Sequence, residues 1–159
     1  MADYVLKTET AHYFVSPLFF IIYAKDFLKA SSSHDSSRNF SPVKYYLVCH
    51  SIELSLKAFL LLKGVSKSKI KNRSLGYDLS KILEKCESLG INKIVQISDP
   101  QKSVISELNE WYSRKGFEYF EIKNLSAGAN ELPDVTLAQE LATLLINKLK
   151  DPCTNEANK

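Results

Sequence analysis

Tyr46, His50, Glu53 and Lys57 follow one another at intervals of four, three and four residues. On a helix at 100° per residue they share a stripe about 60° wide. A histidine, an acid and a lysine on one strip can hold a phosphate-bearing ligand, the ammonium meeting the charge and the carboxylate orienting the ammonium. Histidine also titrates near neutrality and so suits proton transfer. The flanks of the stripe are apolar: Leu47, Leu54, Ala58 and Leu61 on one side, Val48, Ile52, Leu56, Phe59 and Leu60 on the other. A helix that is apolar nearly all round is expected to be buried, and buried ionisable groups need a partner or a pocket. Glu53 and Lys57 stand at i and i+4 with the acid first. They read as a buried ion pair that fixes how the helices pack, or as the floor of a phosphate pocket. The Lys57 stem lying along Leu61, with its ammonium in a wet groove, favours the pocket.

Other residues could join this chemistry. Arg73 could clamp a phosphate through two parallel hydrogen bonds. Trp111, Tyr112 and Tyr119 could stack on bases, with Trp111 reading better as core. His12 and His34 acquire no role. Lys57, Lys63, Lys67, Lys69, Lys71 and Arg73 cluster in sequence, although the net charge of the 159 residues is only +3, too mild to argue for nucleic acid alone. With five glycines in all there is no glycine-rich phosphate loop. No metal-ligand spacing and no Ser-His-Asp order can be drawn, so neither metal nor cofactor is expected. Three cysteines, an odd number without Cys-x-x-Cys spacing, fit a reducing cytoplasm rather than a disulfide framework. The first residues carry no basic stretch of a signal peptide. The apolar run from Phe14 to Ala24 is interrupted by Pro17 and is shorter than the ~20 residues of a membrane span.

The elements that must position these groups are helical. Ser16-Pro17 and Ser41-Pro42 each have the form of a capped helix start. The first helix runs from Pro17 to about Lys29, and its opening turns are apolar on every side. The second runs from Pro42 to Lys63, with Gly64 as the residue that ends it. Between them, residues 31–39 form a serine-rich polar loop, and a short turn follows around Lys67 to Lys71. Asp78 caps a third long helix, Leu79 to Leu89, whose core face is Leu79, Ile82, Leu83 and Cys86 and which Gly90 closes. Asp99-Pro100 opens a fourth, carrying Val104, Ile105, Leu108, Trp111 and Tyr112. Residues 115–130 are irregular. The last helix begins near Asp134 or Thr136 and presents Leu137, Leu141, Leu144, Leu145 and Leu149. No strand alternation is present. The expectation is an all-α, up-and-down antiparallel bundle of about five helices, with 1–150 as one domain and 151–159 as a disordered polar tail.

In their order along the chain, three segments resemble HEPN domains (higher eukaryotes and prokaryotes nucleotide-binding). They are Glu53-Leu54-Ser55-Leu56-Lys57-Ala58-Phe59-Leu60-Leu61, Leu75-Gly76-Tyr77-Asp78-Leu79, and Leu108-Asn109-Glu110-Trp111-Tyr112 with Lys115-Gly116-Phe117-Glu118-Tyr119. The resemblance spans roughly Val43 to Phe120. It implies a helical bundle, commonly a homodimer, among relatives that include ribonucleases of toxin–antitoxin and phage-defence systems and non-catalytic domains that bind nucleotides or partners. In ribonuclease members an arginine is followed, after four to six intervening residues, by histidine. After Arg73 this chain has Asp78, Leu79 and Ser80 at those places, and Tyr77 where the family commonly has histidine. A late Arg-Tyr-Pro segment is replaced by Glu118-Tyr119-Phe120. Tyrosine, with an ordinary pKa near 10, is a poor base; His50, one turn from Glu53, is the spatial substitute.

The resemblance, with these departures from it, implies a non-catalytic module, and the cysteine pattern places it in the cytoplasm. It would bind a nucleotide, RNA or a protein partner such as a nucleotidyltransferase-like protein through Glu53, Lys57, Arg73, Tyr77 and Asp78. The alternatives are a metal-independent ribonuclease toxin with an altered active site, using Arg73, Tyr77 and His50, or a purely structural dimer. The surplus apolar surface between Pro17 and Lys29 points to a homodimer and not to a membrane.

Overall fold

The computed structural model describes residues 16–35, 40–72, 75–119 and 132–158. Among them there is no strand; the chain forms an all-α bundle. Its helices are α1 (Pro17–Ser33), α2 (Pro42–Leu62), the single-turn α3 (Lys67–Lys71), α4 (Leu79–Ser88), α5 (Asp99–Tyr112) and α6 (Val135–Ala157), with a 3₁₀ turn at Ile91–Lys93.

Most helix ends are set by the residues that the sequence singles out. The Ser16 hydroxyl accepts from the Leu18 amide at 3.2 Å, and Asp78 accepts from the Lys81 amide at 3.1 Å. Asp134 accepts from the Thr136 and Leu137 amides. Gly64, at φ +78°, ends α2 in a Schellman motif: its amide bonds the Leu61 carbonyl, and the Val65 amide bonds that of Leu60. Ser41 departs from the pattern. Its hydroxyl makes no bond to the helix it precedes; it is engaged by His34 Nε2 at 2.8 Å instead, which gives that histidine a structural role. α5 starts one residue earlier in its capping than the Asp-Pro signal indicates, with Ser98 and Gln101 forming a reciprocal capping box.

α2 is the hub. It touches each of the other five helices, and Val48, Cys49, Ile52, Leu56, Ala58, Phe59 and Leu60 are fully buried. It is the one described helix long and apolar enough to cross a membrane, and in the bundle most of its surface lies against protein. Small polar residues let α1 approach it: the buried Ser51 hydroxyl donates to the Ala24 carbonyl at 2.7 Å. α1 and α6 meet at Ser31, whose hydroxyl accepts from Gln139 Nε2 at 2.8 Å. That tertiary bond carries α1 past Lys29 to Ser33, shortening the expected serine-rich loop.

The expected polar tail is helical through Ala157. Pro152 withdraws one main-chain donor, yet Cys153 continues the Leu145–Leu149 stripe at four-residue spacing and is completely buried. The burial of one side chain outweighs the polarity of its neighbours. Deleting residues 151–159 should therefore lower stability by about 1–2 kcal/mol, read as a fall of a few degrees in Tm by circular dichroism. An unchanged Tm would mean that the last two turns contribute nothing.

Candidate functional site

The four-residue stripe of α2 faces α5 and the segment between α3 and α4. At its centre is Glu53, a carboxylate only 3% exposed. Oε1 accepts from the Lys57 ammonium, and Oε2 accepts from the Tyr112 hydroxyl at 2.5 Å. His50 Nδ1 stands 3.6 Å from Oε2 and 3.1 Å from the Tyr112 oxygen. Lys57 donates a second hydrogen bond to the Gly76 carbonyl at 3.2 Å. Burial alone would push the Glu53 pKa up; the His50 ring, the Lys57 ammonium and the Tyr112 hydroxyl together outweigh it and hold the carboxyl below its ordinary value. Burial and the adjacent Glu53 charge push the Tyr112 phenol far up, so it remains a donor.

This cluster forms one wall of an open cavity of about 840 Å³. His50, Glu53 and Lys57 line it from α2, Ile70 and Lys71 from α3, Leu75, Gly76, Tyr77 and Asp78 from the following turn, Lys81 from α4, and Ser113 and Lys115 from the end of α5. Tyr77 meets Tyr112 edge-on, ring centroids 6.1 Å apart. Asp78 is held on both sides: it caps α4 and accepts from Asn109 Nδ2 at 3.0 Å. Asn109 Oδ1 in turn takes the Leu79 amide at 2.7 Å. The first amides of α4 are thus spent on protein groups, and its N-terminus is not a vacant anion site.

Lys115 closes the opposite rim. It sits at φ 60°, a left-handed conformation that glycine adopts without strain and lysine does not. There it ends α5 in a Schellman motif, with its own amide on the Tyr112 carbonyl and that of Gly116 on Trp111. Its ammonium lies 5.3 Å from the centre of the Tyr77 ring and 3.7 Å from Glu118.

Of the residues singled out in the sequence, the cavity brings together His50, Glu53, Lys57, Tyr77 and Asp78. Arg73 and His12 lie outside the described residues. Lys57 is not in the wet groove expected of it: its side chain is 12% exposed, tied down by Glu53 and Gly76. The ion-pair and pocket readings coincide in one buried pair at a cavity wall. Tyr112 is not a base-stacking platform; it is 1% exposed and serves as the second donor to Glu53. Trp111 is half-buried and stacks on Phe117 at 5.8 Å, while Tyr119 stays exposed. Asn109, Lys81 and Lys115 carry no separate signal in the sequence, because their place at the cavity comes from how α4 and α5 are set against α2. Among the described residues no His, Cys, Asp and Glu side chains gather to hold a metal ion. Compared with protein-family models, curated proteins and solved structures, the chain matches none.

The pair has a measurable signature. Lys57→Met should strand the Glu53 charge and cost about 3–5 kcal/mol, whereas Lys57→Met with Glu53→Gln should cost far less, since glutamine still accepts from Tyr112. The folded carboxyl lies below its ordinary value near 4.5, so its stabilisation is complete above that pH and fades as pH falls through the folded-state value. The cost of Lys57→Met should shrink over the same acid range. Urea denaturation at neutral and acid pH measures all three; a cost under about 1 kcal/mol at neutral pH would mark the pair as solvated.

Proposed function

We propose that the protein is a HEPN-like, non-catalytic binding module of the cytoplasm that takes a phosphate-bearing ligand, a nucleotide or RNA, in the cavity between α2, α4 and the end of α5. The observation that carries this reading is the convergence of Lys57, Lys71, Lys81 and Lys115 on one cavity beside the Tyr77 ring. Lysine ammoniums meet phosphate as point charges, and an aromatic face receives a base whatever its sequence. Strain at Lys115 supports a role beyond folding, because the backbone there would be more relaxed with glycine. The ribonuclease alternative has His50 in its favour. Against it, Tyr77 stands where the resembling ribonucleases use histidine.

Affinity and stability should then part company at the rim. Lys115→Gly removes a cation and a strained backbone together, so it should leave Tm unchanged or higher while weakening single-stranded RNA binding. Combined with Lys81→Glu, the loss should reach about tenfold at low salt and shrink as salt rises. Fluorescence anisotropy with a labelled oligonucleotide, followed by gel analysis of the RNA, reads both binding and cleavage. Equal affinity for wild type and the double variant would overturn the cavity, and cleavage that Lys81→Glu abolishes would favour the ribonuclease.

The reading includes a homodimer joined through α1, as the bundle leaves Phe19, Ile22 and Tyr23 exposed at helical spacing, with Val43 also exposed at the start of α2. Light scattering should give about twice the 18.0 kDa chain mass, and Phe19→Glu with Tyr23→Glu should return it to the chain mass. A wild-type monomer would remove the dimer from the proposal.

A further inference from the structure

The hydrogen bonds around Glu53 determine which nitrogen of His50 carries its proton. A phenol has one proton to give, and that of Tyr112 goes to Glu53 Oε2 at 2.5 Å. The Tyr112 oxygen can then only accept from His50 Nδ1, 3.1 Å away. The ring is further confined by Tyr46, stacked with centroids 5.8 Å apart, and by Phe27, edge-on at 4.5 Å. Among the described residues no protein group hydrogen-bonds Nε2, and His50 lines the cavity. A neutral imidazole with its proton on Nδ1 has a lone pair on Nε2.

Other groups nearby have a different character. Lys57 uses two of its three donors on Glu53 and Gly76, leaving one for a ligand anion. His50 and Lys57 both converge on the same carboxylate, so an acceptor and a cationic donor belong to one ligand-sized space. The Glu53 oxygens that would otherwise accept are already occupied by protein donors.

We propose that Tyr112 holds the His50 ring as the Nδ1–H tautomer and that its Nε2 selects, beside the bound phosphate, a ligand hydroxyl group: the site favours ribonucleotides over their deoxy counterparts. This rests on the phosphate-binding reading of the cavity and adds to it a discrimination that lysines cannot supply, since an ammonium has no acceptor. Tyr112 acts here as a positioning residue and His50 as the group that touches the ligand. A site that hydrogen-bonds a hydroxyl disfavours an analogue lacking it, because the acceptor then loses that bond on binding.

The first two measurements use the wild-type protein. Long-range ¹H–¹⁵N correlation spectra of the ligand-free protein, at a pH above the ordinary imidazole range, should show His50 protonated on Nδ1. Titration with AMP and with 2′-deoxy-AMP should give AMP about five- to tenfold tighter binding, the worth of one hydrogen bond. His50→Leu should bring the two affinities together while both still bind. A ring protonated on Nε2, or equal affinities in the wild type, overturns the selection and leaves phosphate binding standing. If neither nucleotide binds, phosphate binding itself fails and the selection falls with it.

Discussion

One buried carboxylate organises this molecule. Glu53 sits on the helix that touches every other helix, and its two oxygens reach in different directions. Oε1 takes Lys57, which in turn grips the Gly76 carbonyl in the turn before α4. Oε2 takes Tyr112 at the end of α5. A single charge therefore ties three parts of the bundle to one point, and the cavity is the space these ties leave between them. The charge is tolerated because both oxygens are met by donors; removing one donor exposes the full desolvation cost. This is also why the site and the core cannot be separated. The wall of the cavity is the inner face of α2.

The second level of organisation lies in how the rim is held. Asp78 and Asn109 lock the start of α4 to α5 through two side-chain bonds. Lys115 accepts an unfavourable backbone conformation at the end of α5. Both devices border Tyr77: Asp78 follows it in the chain, and the Lys115 ammonium lies 5.3 Å from its ring centre. A helix terminus capped by its own aspartate and a neighbouring asparagine has its amides engaged by protein groups, so on the phosphate reading a ligand's charge would be met by side chains.

Much of this was legible in the sequence, for identifiable reasons. The stripe of Tyr46, His50, Glu53 and Lys57 is visible because helical periodicity places it whatever the tertiary fold, and the apolar flanks announce burial. Caps at Ser16, Asp78 and Asp134 are local chemistry, readable in four or five residues. What failed was non-local. Ser41 looks like a cap, but His34, brought near by the α1–α2 connection, competes for its hydroxyl. The polar letters of 151–157 hide a helix because one cysteine lands in the core. Tyr112 looks like any exposed aromatic candidate until α5 is set against α2. The Lys57 side chain reaches along its own helix to Glu53, as the spacing allows, and the Gly76 carbonyl that helps to keep it from solvent belongs to a distant turn.

The distribution of charge also decides how such a cavity can work. Lys57 is neutralised by Glu53, Lys81 lies 3.3 Å from Asp78, and Lys115 lies 3.7 Å from Glu118. Lys71, by contrast, makes no ion pair among the described residues. With three of the four lysines that line the cavity paired and a net charge of only +3, the long-range field is weak, and screening at physiological salt shortens its reach to about 8 Å. Electrostatic steering therefore contributes little to encounter. On the proposed phosphate reading, recognition would come at contact, with Lys57 held by Glu53 and Gly76 before a ligand arrives. Pairing costs such lysines some of their attraction for an anion; it fixes the geometry only of the buried Lys57, since Lys81 and Lys115 are in exposed pairs. On that reading the cavity would trade raw affinity for selectivity of shape and hydrogen bonding, because its wall is the core helix itself.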